Sequence, residues 1–504
     1  MNQVQKNLCT NIVNLITNVL VGLYYTPYLV RELGVAAYGV VPLTLIINQY
    51  INVLTGSLTG ALSRFYTISL QQQRYKEASK ILSTVSIVFL ILTFILLPVL
   101  FYLLKNLDVV FTIPEELLES SKWLFFFTIS SFFLSLISSG LNITLYAQNR
   151  LDLMNFIRIT RTGCKFIIVI ILFEAISVDL LYIGLANFLA EAIVLILSFY
   201  YFFFYSPRGI KVKIKLFDKA VLTGVLGMTS WTVIHQLGDV GLYRVDNIIV
   251  NRHWGTELSG ALGAISEFGV YVTLIIGVIS SLFGPIILIA YSHHKHDEVQ
   301  KMTLTNSMVV GALTAIMVGC LIGYGQNLLR YWLGDSFVKY TYWFVLKLLP
   351  LPFFAAAGIY AFVNRAWNKV KKPAINTVVL GCVNIAVLLL FVYGSNSLPL
   401  ERISWMLLFS AIIIIIQSYG VNAVYFNKAY PRNFRLIIDI FFKILLTIFY
   451  SFIISKLLLC LYIPSSLVGV LLSLIIAGGI SLLLTVMVLF DKTQKQALIS
   501  IIKK

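Results

Sequence analysis

ILSTVSIVFLILTFILLPVLFYLL, from Ile81 to Leu104, decides the class of this chain: the whole stretch passes without a single charge. A helix rises 1.5 Å per residue and the hydrocarbon core of a bilayer is about 30 Å thick, so ~20 apolar residues cross it. The stretch is apolar all round, whereas a surface helix of a water-soluble domain keeps a polar face. The same ruler carried outward along the chain predicts fourteen spans, near 6–30, 38–63, 81–104, 121–146, 155–176, 180–204, 221–250, 261–290, 303–326, 341–363, 374–393, 402–426, 436–460 and 466–490. Composition agrees. Of 504 residues 59% are hydrophobic and 12% charged, with mean hydropathy +0.90, where a soluble domain carries roughly 25% charged residues. The expected fold class is an all-α polytopic membrane protein of about 14 transmembrane helices.

The net charge of +17 would suggest nucleic acid in a soluble protein. Here the charges sit in short runs between apolar spans, so no nucleic-acid partner is expected. With the N-terminus inside, 27 of the 38 Lys and Arg fall on the inner side, 7 on the outer side and 4 within spans. Basic residues collect in cytoplasmic loops, so both termini are expected in the cytoplasm and the number of helices is expected to be even. The first apolar stretch has no small-residue cleavage site and reads as a mature helix. The five cysteines, Cys9, Cys164, Cys320, Cys382 and Cys460, form no CxxC pair and read as packing residues. No loop is long enough for a domain, so function is expected within the membrane.

An internal repeat runs through the chain at one constant offset. Gly34 and Gly39 map onto Gly255 and Gly260, Lys80 onto Lys301, Asn106 onto Asn327, and Asn155 onto Asn376. Six helices return the chain to its starting side. The expected organisation is therefore two parallel six-helix halves, 1–220 and 221–435, followed by two further helices in 436–504. Transporters often hold substrate between such halves.

The first span carries Asn7, Asn11, Asn14 and Asn18 on one helical face. Facing lipid these amides would be costly, so they face other helices or a hydrated cavity, and the sequence leaves both open. The same register in the second half gives Thr232, His235, Asp239 and Asp246, with Tyr243 on that face. Intramembrane acids usually face the bundle interior or water. Arg244 is placed to pair with either Asp. A charge network that locks the helix is the structural alternative to a cavity wall. The second span adds Asn48, Asn52, Thr55, Thr59 and Ser63, and ends at Arg64.

Other polar groups read more plainly. Glu191 and Glu267 are expected to pack or pair, and Arg435, Asp439 and Lys443 to form a local salt bridge. Lys456 is expected to snorkel outward. His293, His294 and His296 have no acid or Cys at a metal-ligand spacing, so no metal site is expected. No Gly-Lys dipeptide occurs, hence no Walker A loop. No long outer loop carries an acid/base constellation, and no catalytic residue is expected.

TPYLVRELGVAAYGVVPLTLIINQYINVLTGSLTGALSRFY, from Thr26 to Tyr66, resembles the start of the polysaccharide and O-antigen flippases (Wzx-like) of the multidrug/oligosaccharidyl-lipid/polysaccharide (MOP) exporter superfamily. Arg31, Leu33, Gly34, Tyr38, Gly39, Arg64 and Phe65 carry that likeness. YRVDNIIVNRHWG (Tyr243–Gly255), LRYWLGDSF (Leu329–Phe337) and NKVKKPAIN (Asn368–Asn376) are similar to later stretches of the same family. The resemblance implies a MATE-like fold of two six-helix lobes around a central cavity built by helices one, two, seven and eight. It implies export of an undecaprenyl-diphosphate-linked oligosaccharide across the bacterial plasma membrane by alternating access, for surface polysaccharide. Its partners would be that lipid-linked oligosaccharide, membrane lipids and other polysaccharide-assembly membrane proteins. In the related lipid II flippases two extra helices form a groove for the lipid tail. This chain lacks the dense intramembrane arginines of those proteins.

Within that reading Asn11, Asn14, Asn18, Asn48, Asn52, Arg64, His235, Asp239, Tyr243, Arg244 and Asp246 are the candidate cavity residues. Arg64 and Arg244 are the candidate phosphate donors. No cofactor is expected, and coupling to H+ or Na+ through Asp239, His235 or Asp246 is left open. The alternatives are a cation-coupled multidrug exporter of the same superfamily and, third, a membrane polymerase or ligase.

Overall fold

The computed structural model describes residues 3–45, 65–70, 72–207, 209–281, 283, 287, 295–366, 371–394, 398–431 and 434–502. Helices dominate and, among the described residues, no strand occurs. In chain order they are α1 (Gln3–Tyr38), α2 (Tyr75–Lys105), α3 (Glu115–Ala147), α4 (Leu151–Ala175), α5 (Leu180–Tyr205), α6 (Lys219–Tyr243), α7 (Val245–Ser281), α8 (His296–Gly323), α9 (Gly325–Leu333) and α10 (Thr341–Leu348). There follow α11 (Leu351–Ala366), α12 (Lys371–Tyr393), α13 (Pro399–Ile415), α14 (Val424–Ala429), α15 (Phe434–Leu461), α16 (Leu467–Leu484) and α17 (Lys492–Ile502). Local chemistry sets several starts: Asp179 caps α5 by accepting from Leu181 N at 2.8 Å, and Pro399 opens α13 where its missing N–H costs nothing.

Eleven helical segments among the described residues are long and apolar enough to cross a membrane. Of the fourteen expected spans, 38–63 lies mostly outside the described residues. The expected spans 155–176 and 221–250 are helices, α4 and α6, of 25 residues each. Neither is among those eleven, and the expected span 221–250 runs past α6 into the start of α7. The expected span 341–363 is built from α10 and α11, and 402–426 from α13, a π-helical stretch Ile416–Ala423 and α14. Large exposed side chains such as Phe203 and Leu461, 82% and 84% accessible, suit contact with lipid rather than water.

The repeat is visible in the backbone. Gly34 (φ 78°, ψ 161°) breaks α1 and Gly255 (φ 83°, ψ −175°) breaks α7, in nearly the same conformation. That region is open to glycine and strained for other residues. Further along each helix, Gly39 and Gly260 touch. A Cβ on Gly39 would lie 2.1 Å from Thr256 O, and one on Gly260 would lie 2.4 Å from Val35 O. Val35 and Thr256 are themselves related by the offset of the repeat. The contact is therefore reciprocal, as at a two-fold interface.

The chain packs as two compact units. The first comprises Met1–Val240 and Asn247–Gly260. It contains a hydrophobic core of Tyr66, Ile81, Leu82, Val85, Phe89, Phe132, Leu136 and Ile143, closed by a Tyr66 hydroxyl to Thr144 Oγ1 contact of 3.1 Å. The second comprises Gly241–Asp246 and Ala261–Lys504. Here Gly311, Gly319 and Gly323 of α8 form a seam against α15. A Cβ on Gly319 would lie 2.7 Å from Ile448 O, and one on Gly323 2.4 Å from Ser455 Cβ. Small residues let helix backbones approach where no hydrophobic force separates helix from lipid.

Candidate functional site

In the first unit two residues of the asparagine stripe of α1, Asn7 and Asn18, bond to α4 and the turn before it. Asn7 Nδ2 donates to Asn149 O at 3.0 Å, and Asn7 Oδ1 accepts from Asp152 N at 3.0 Å. Further along, Asn155 donates to Thr10 Oγ1 (3.3 Å) and Thr162 Oγ1 to Asn18 Oδ1 (3.1 Å). Asn18 Nδ2 also donates to the Asn14 carbonyl at 2.7 Å. Lys165 stands over the Tyr25 ring, 5.0 Å from its centroid. Asn7 and Asn18 thus make interhelical bonds. Asn11 and Asn14 are half-buried on the same helix. Asn48, Asn52 and Arg64 lie outside the described residues.

This seam exposes a feature the sequence reading missed. Arg158, Arg161 and Lys165 sit at spacings of three and four, on one face of α4, inside the expected span 155–176. The charge count along the sequence assigns them to the inner side. Their position inside a span was the available signal. Arg161 Nε meets Glu191 Oε2 of α5 at 2.8 Å; the Glu191 side chain is 3% accessible and that of Arg161 59%. The expectation that Glu191 pairs is met. Arg158 reaches Asn155 Oδ1 at 3.4 Å, is exposed, and has no carboxylate within ion-pair distance among the described residues. Arg158 thus keeps an unneutralised positive charge on a helix that lies within the expected span 155–176. Such a charge is tolerated where it meets water or an anion.

On α6 two of the expected polar residues meet. His235 Nδ1 and Asp239 Oδ2 lie 3.0 Å apart, each side chain about one third accessible. Helix α6 then ends at Tyr243, a turn follows at Arg244, and α7 starts at Val245. His235 and Asp239 belong to the first unit and Asp246 to the second. Asp246 is buried and forms an ion pair with Lys347 of α10. The Tyr243 ring packs edge-on to Phe354, 5.6 Å between centroids. The ion pairs of the two acids are made with His235 and Lys347 rather than with Arg244, which sits in the turn between the two helices. The sequence places Lys347 within a span and assigns it no partner. Asn384, also in the second unit, donates to Gly241 O at 3.0 Å and accepts from Ser410 at 2.8 Å, tying the end of α6 to α12 and α13.

Among the described residues no three His, Cys, Asp or Glu side chains come together. His293 and His294 lie outside the described residues. A cavity of about 660 Å³ lined by Leu104, Glu115, Leu118, Glu119, Lys122, Trp123 and Phe126 gathers none of the predicted residues.

No family model matches the sequence. An uncharacterized membrane protein, EpsK of Bacillus subtilis (strain 168), is 26% identical over 431 residues, covering 84% of this chain and 83% of that protein. A multidrug resistance MATE family transporter of the MOP superfamily, solved in an inward-facing conformation, superposes with a TM-score of 0.67. It is 14% identical and covers 85% of this chain and 100% of the solved one. The fold is that of the MOP-superfamily transporters. The lipid II flippase MurJ, in an inward closed conformation, shares it with a TM-score of 0.63 and 16% identity, over 94% of this chain and 98% of its own. Among MOP folds the flippase thus matches a larger share of the chain than the MATE transporter does. The all-α, MATE-like fold read from the sequence holds.

Proposed function

We propose that this protein is a flippase that moves an undecaprenyl-diphosphate-linked oligosaccharide from the cytoplasmic to the outer face of the bacterial plasma membrane, for surface polysaccharide. The observation that carries the reading is the cationic face of α4, Arg158, Arg161 and Lys165, beside the amide seam of α1. A sugar headgroup cannot cross hydrocarbon without replacement hydrogen bonds, and amides supply them. A diphosphate needs charge-assisted donors, and the three cations supply those. The Wzx-like stretches of sequence and the 94% coverage by a lipid II flippase support the same class. In this reading both termini are cytoplasmic, lobes 1–220 and 221–435 alternate access, and 436–504 are additional helices. The candidate path comprises Asn11, Asn14, Asn18, Asn48, Asn52, Arg64, His235, Asp239, Tyr243, Arg244 and Asp246. An inside-negative potential favours outward movement of an anion by ~2.3 kcal/mol per charge per 100 mV.

A cation-coupled multidrug exporter is the second reading. The His235–Asp239 pair and the 0.67 TM-score to a MATE transporter favour it. The cargo decides. Gene deletion should accumulate lipid-linked oligosaccharide on the cytoplasmic face, and re-expression should clear it. Arg158→Ala removes a charged donor worth ~1.5–3 kcal/mol, so flipping should fall about 10- to 100-fold at normal protein level. A deletion strain with no cytoplasmic-side accumulation, yet hypersensitive to cationic drugs, would favour the exporter instead.

A further inference from the structure

The segment between α5 and α6 is a strap tied along the start of α2. Three of its backbone N–H groups donate to hydroxyls of α2: Lys211 N to Ser79 Oγ (3.0 Å), Lys213 N to Ser83 Oγ (3.1 Å) and Asp218 N to Thr84 Oγ1 (3.0 Å). All three acceptor residues are buried. Ser79 and Ser83 stand one helical turn apart. They accept from amides two residues apart in the strap, which continues into a 3-10 turn at Ile214–Leu216. Lys80 Nζ to Asp218 Oδ2, 3.3 Å, closes the far end. Ile210 packs into the core of the first unit at the near end. The strap is therefore a fixed surface.

What it presents is unusual for a water-facing turn. Lys211, Lys213, Lys215 and Lys219 are all exposed, and none has a carboxylate within ion-pair distance among the described residues. The one acid in the segment, Asp218, is committed to Lys80. Val212 and Phe217, 46% and 43% accessible, are exposed between those lysines. Water disfavours the apolar pair and hydrocarbon excludes the lysines, whereas the headgroup layer accommodates both. The strap joins the ends of two long helices in a chain of many spans, which places it at that layer.

We propose that the strap is a binding site for anionic phospholipid headgroups, with Lys211, Lys213 and Lys215 on the phosphates and Val212 and Phe217 at the acyl boundary. Each lysine near an anionic surface is worth about a five-fold change in affinity. The proposal stands apart from the identity of the cargo.

The test uses the full-length protein purified in neutral detergent and titrated with phosphatidylglycerol or phosphatidylcholine, with bound lipid counted by native mass spectrometry. The triple variant Lys211→Gln, Lys213→Gln, Lys215→Gln should lose phosphatidylglycerol affinity on the order of 100-fold, with phosphatidylcholine binding unchanged. A charge-matched control, Lys371→Gln, Lys372→Gln, Lys495→Gln, should retain it, as should the Arg triple at the strap positions. Wild-type affinity in the strap variant overturns the proposal, and so does an equal loss in the control. Displacement of phosphatidylglycerol from the wild type by inorganic pyrophosphate at equal concentration also overturns it, since the site would then be one for free phosphate.

Discussion

Asp246 sits at the start of α7 with its carboxylate buried against the Lys347 ammonium. Removing one member of a buried pair strands the other charge, at a cost of about 3–5 kcal/mol, whereas replacing both by neutral groups can be almost free. The melting temperature in detergent should fall for Asp246→Asn and for Lys347→Met, and recover most of the loss in the double variant; a double that merely sums the singles would show that the pair is not coupled. Asp218 supports a prediction in pH. The hydrogen bond from Lys80, with backbone N–H bonds from Ala220 and Val221, holds its carboxyl below the usual carboxylate range. The folded chain therefore binds fewer protons than the unfolded one. Its contribution is complete above the ordinary carboxylate pKa of about 4 and disappears as pH falls through the lowered value. The protection factors of the Lys211 and Lys213 amides, corrected for the intrinsic pH dependence of exchange, should stay high at neutral pH and fall below that range. Lys80→Ala should expose them already at neutral pH. The sequence placed Asp246 and Lys347 in spans but could not join them: they lie 101 positions apart, and ion pairs across that distance leave no local pattern.

At the scale of helices, the polar elements were legible and their phase was not. The asparagine spacing of α1 predicts one face, because the helical repeat is a local rule. Which helix that face meets depends on packing, and it meets α4. The stretch 232–246 is interrupted by a turn at Arg244, which no Gly or Pro marks at that position. Glycines behave more predictably. Gly39→Ala and Gly260→Ala each force a Cβ into a carbonyl oxygen, at 2.1 Å and 2.4 Å. Each should cost more than the ~1–3 kcal/mol typical of overpacking. Gly163→Ala, with nothing within 4 Å of its Cβ, should be neutral or up to ~1 kcal/mol stabilising through helix propensity. Thermal denaturation of the three variants in one detergent separates them. Equal melting temperatures would mean that the reciprocal glycine contact is not tight in solution.

For the whole molecule, α15 packs within the second unit. Ile440, Ile444 and Ile448 complete a core with Met308, Val309, Ala312 and Phe353, and the glycine seam of α8 closes on the same helix. A chain ended after Tyr430 should aggregate or be degraded, judged by size exclusion and by steady-state level in membranes. A monodisperse truncated protein melting as the full chain does would refute this. The sequence by itself determined the apolar helical spans and the repeated glycines. Hydropathy is summed over the length of a span, and glycine positions recur at a fixed offset, so both are written along the chain. Only the tertiary structure decided which polar groups remain available. Asn7 and Asn18 bond at α4, Asp239 and Asp246 pair with His235 and Lys347, while Arg158 and the lysines of the strap have no carboxylate within ion-pair distance among the described residues. Hydrogen bonds and ion pairs act over a few ångströms in space, and the sequence does not record which distant residues the fold brings that close.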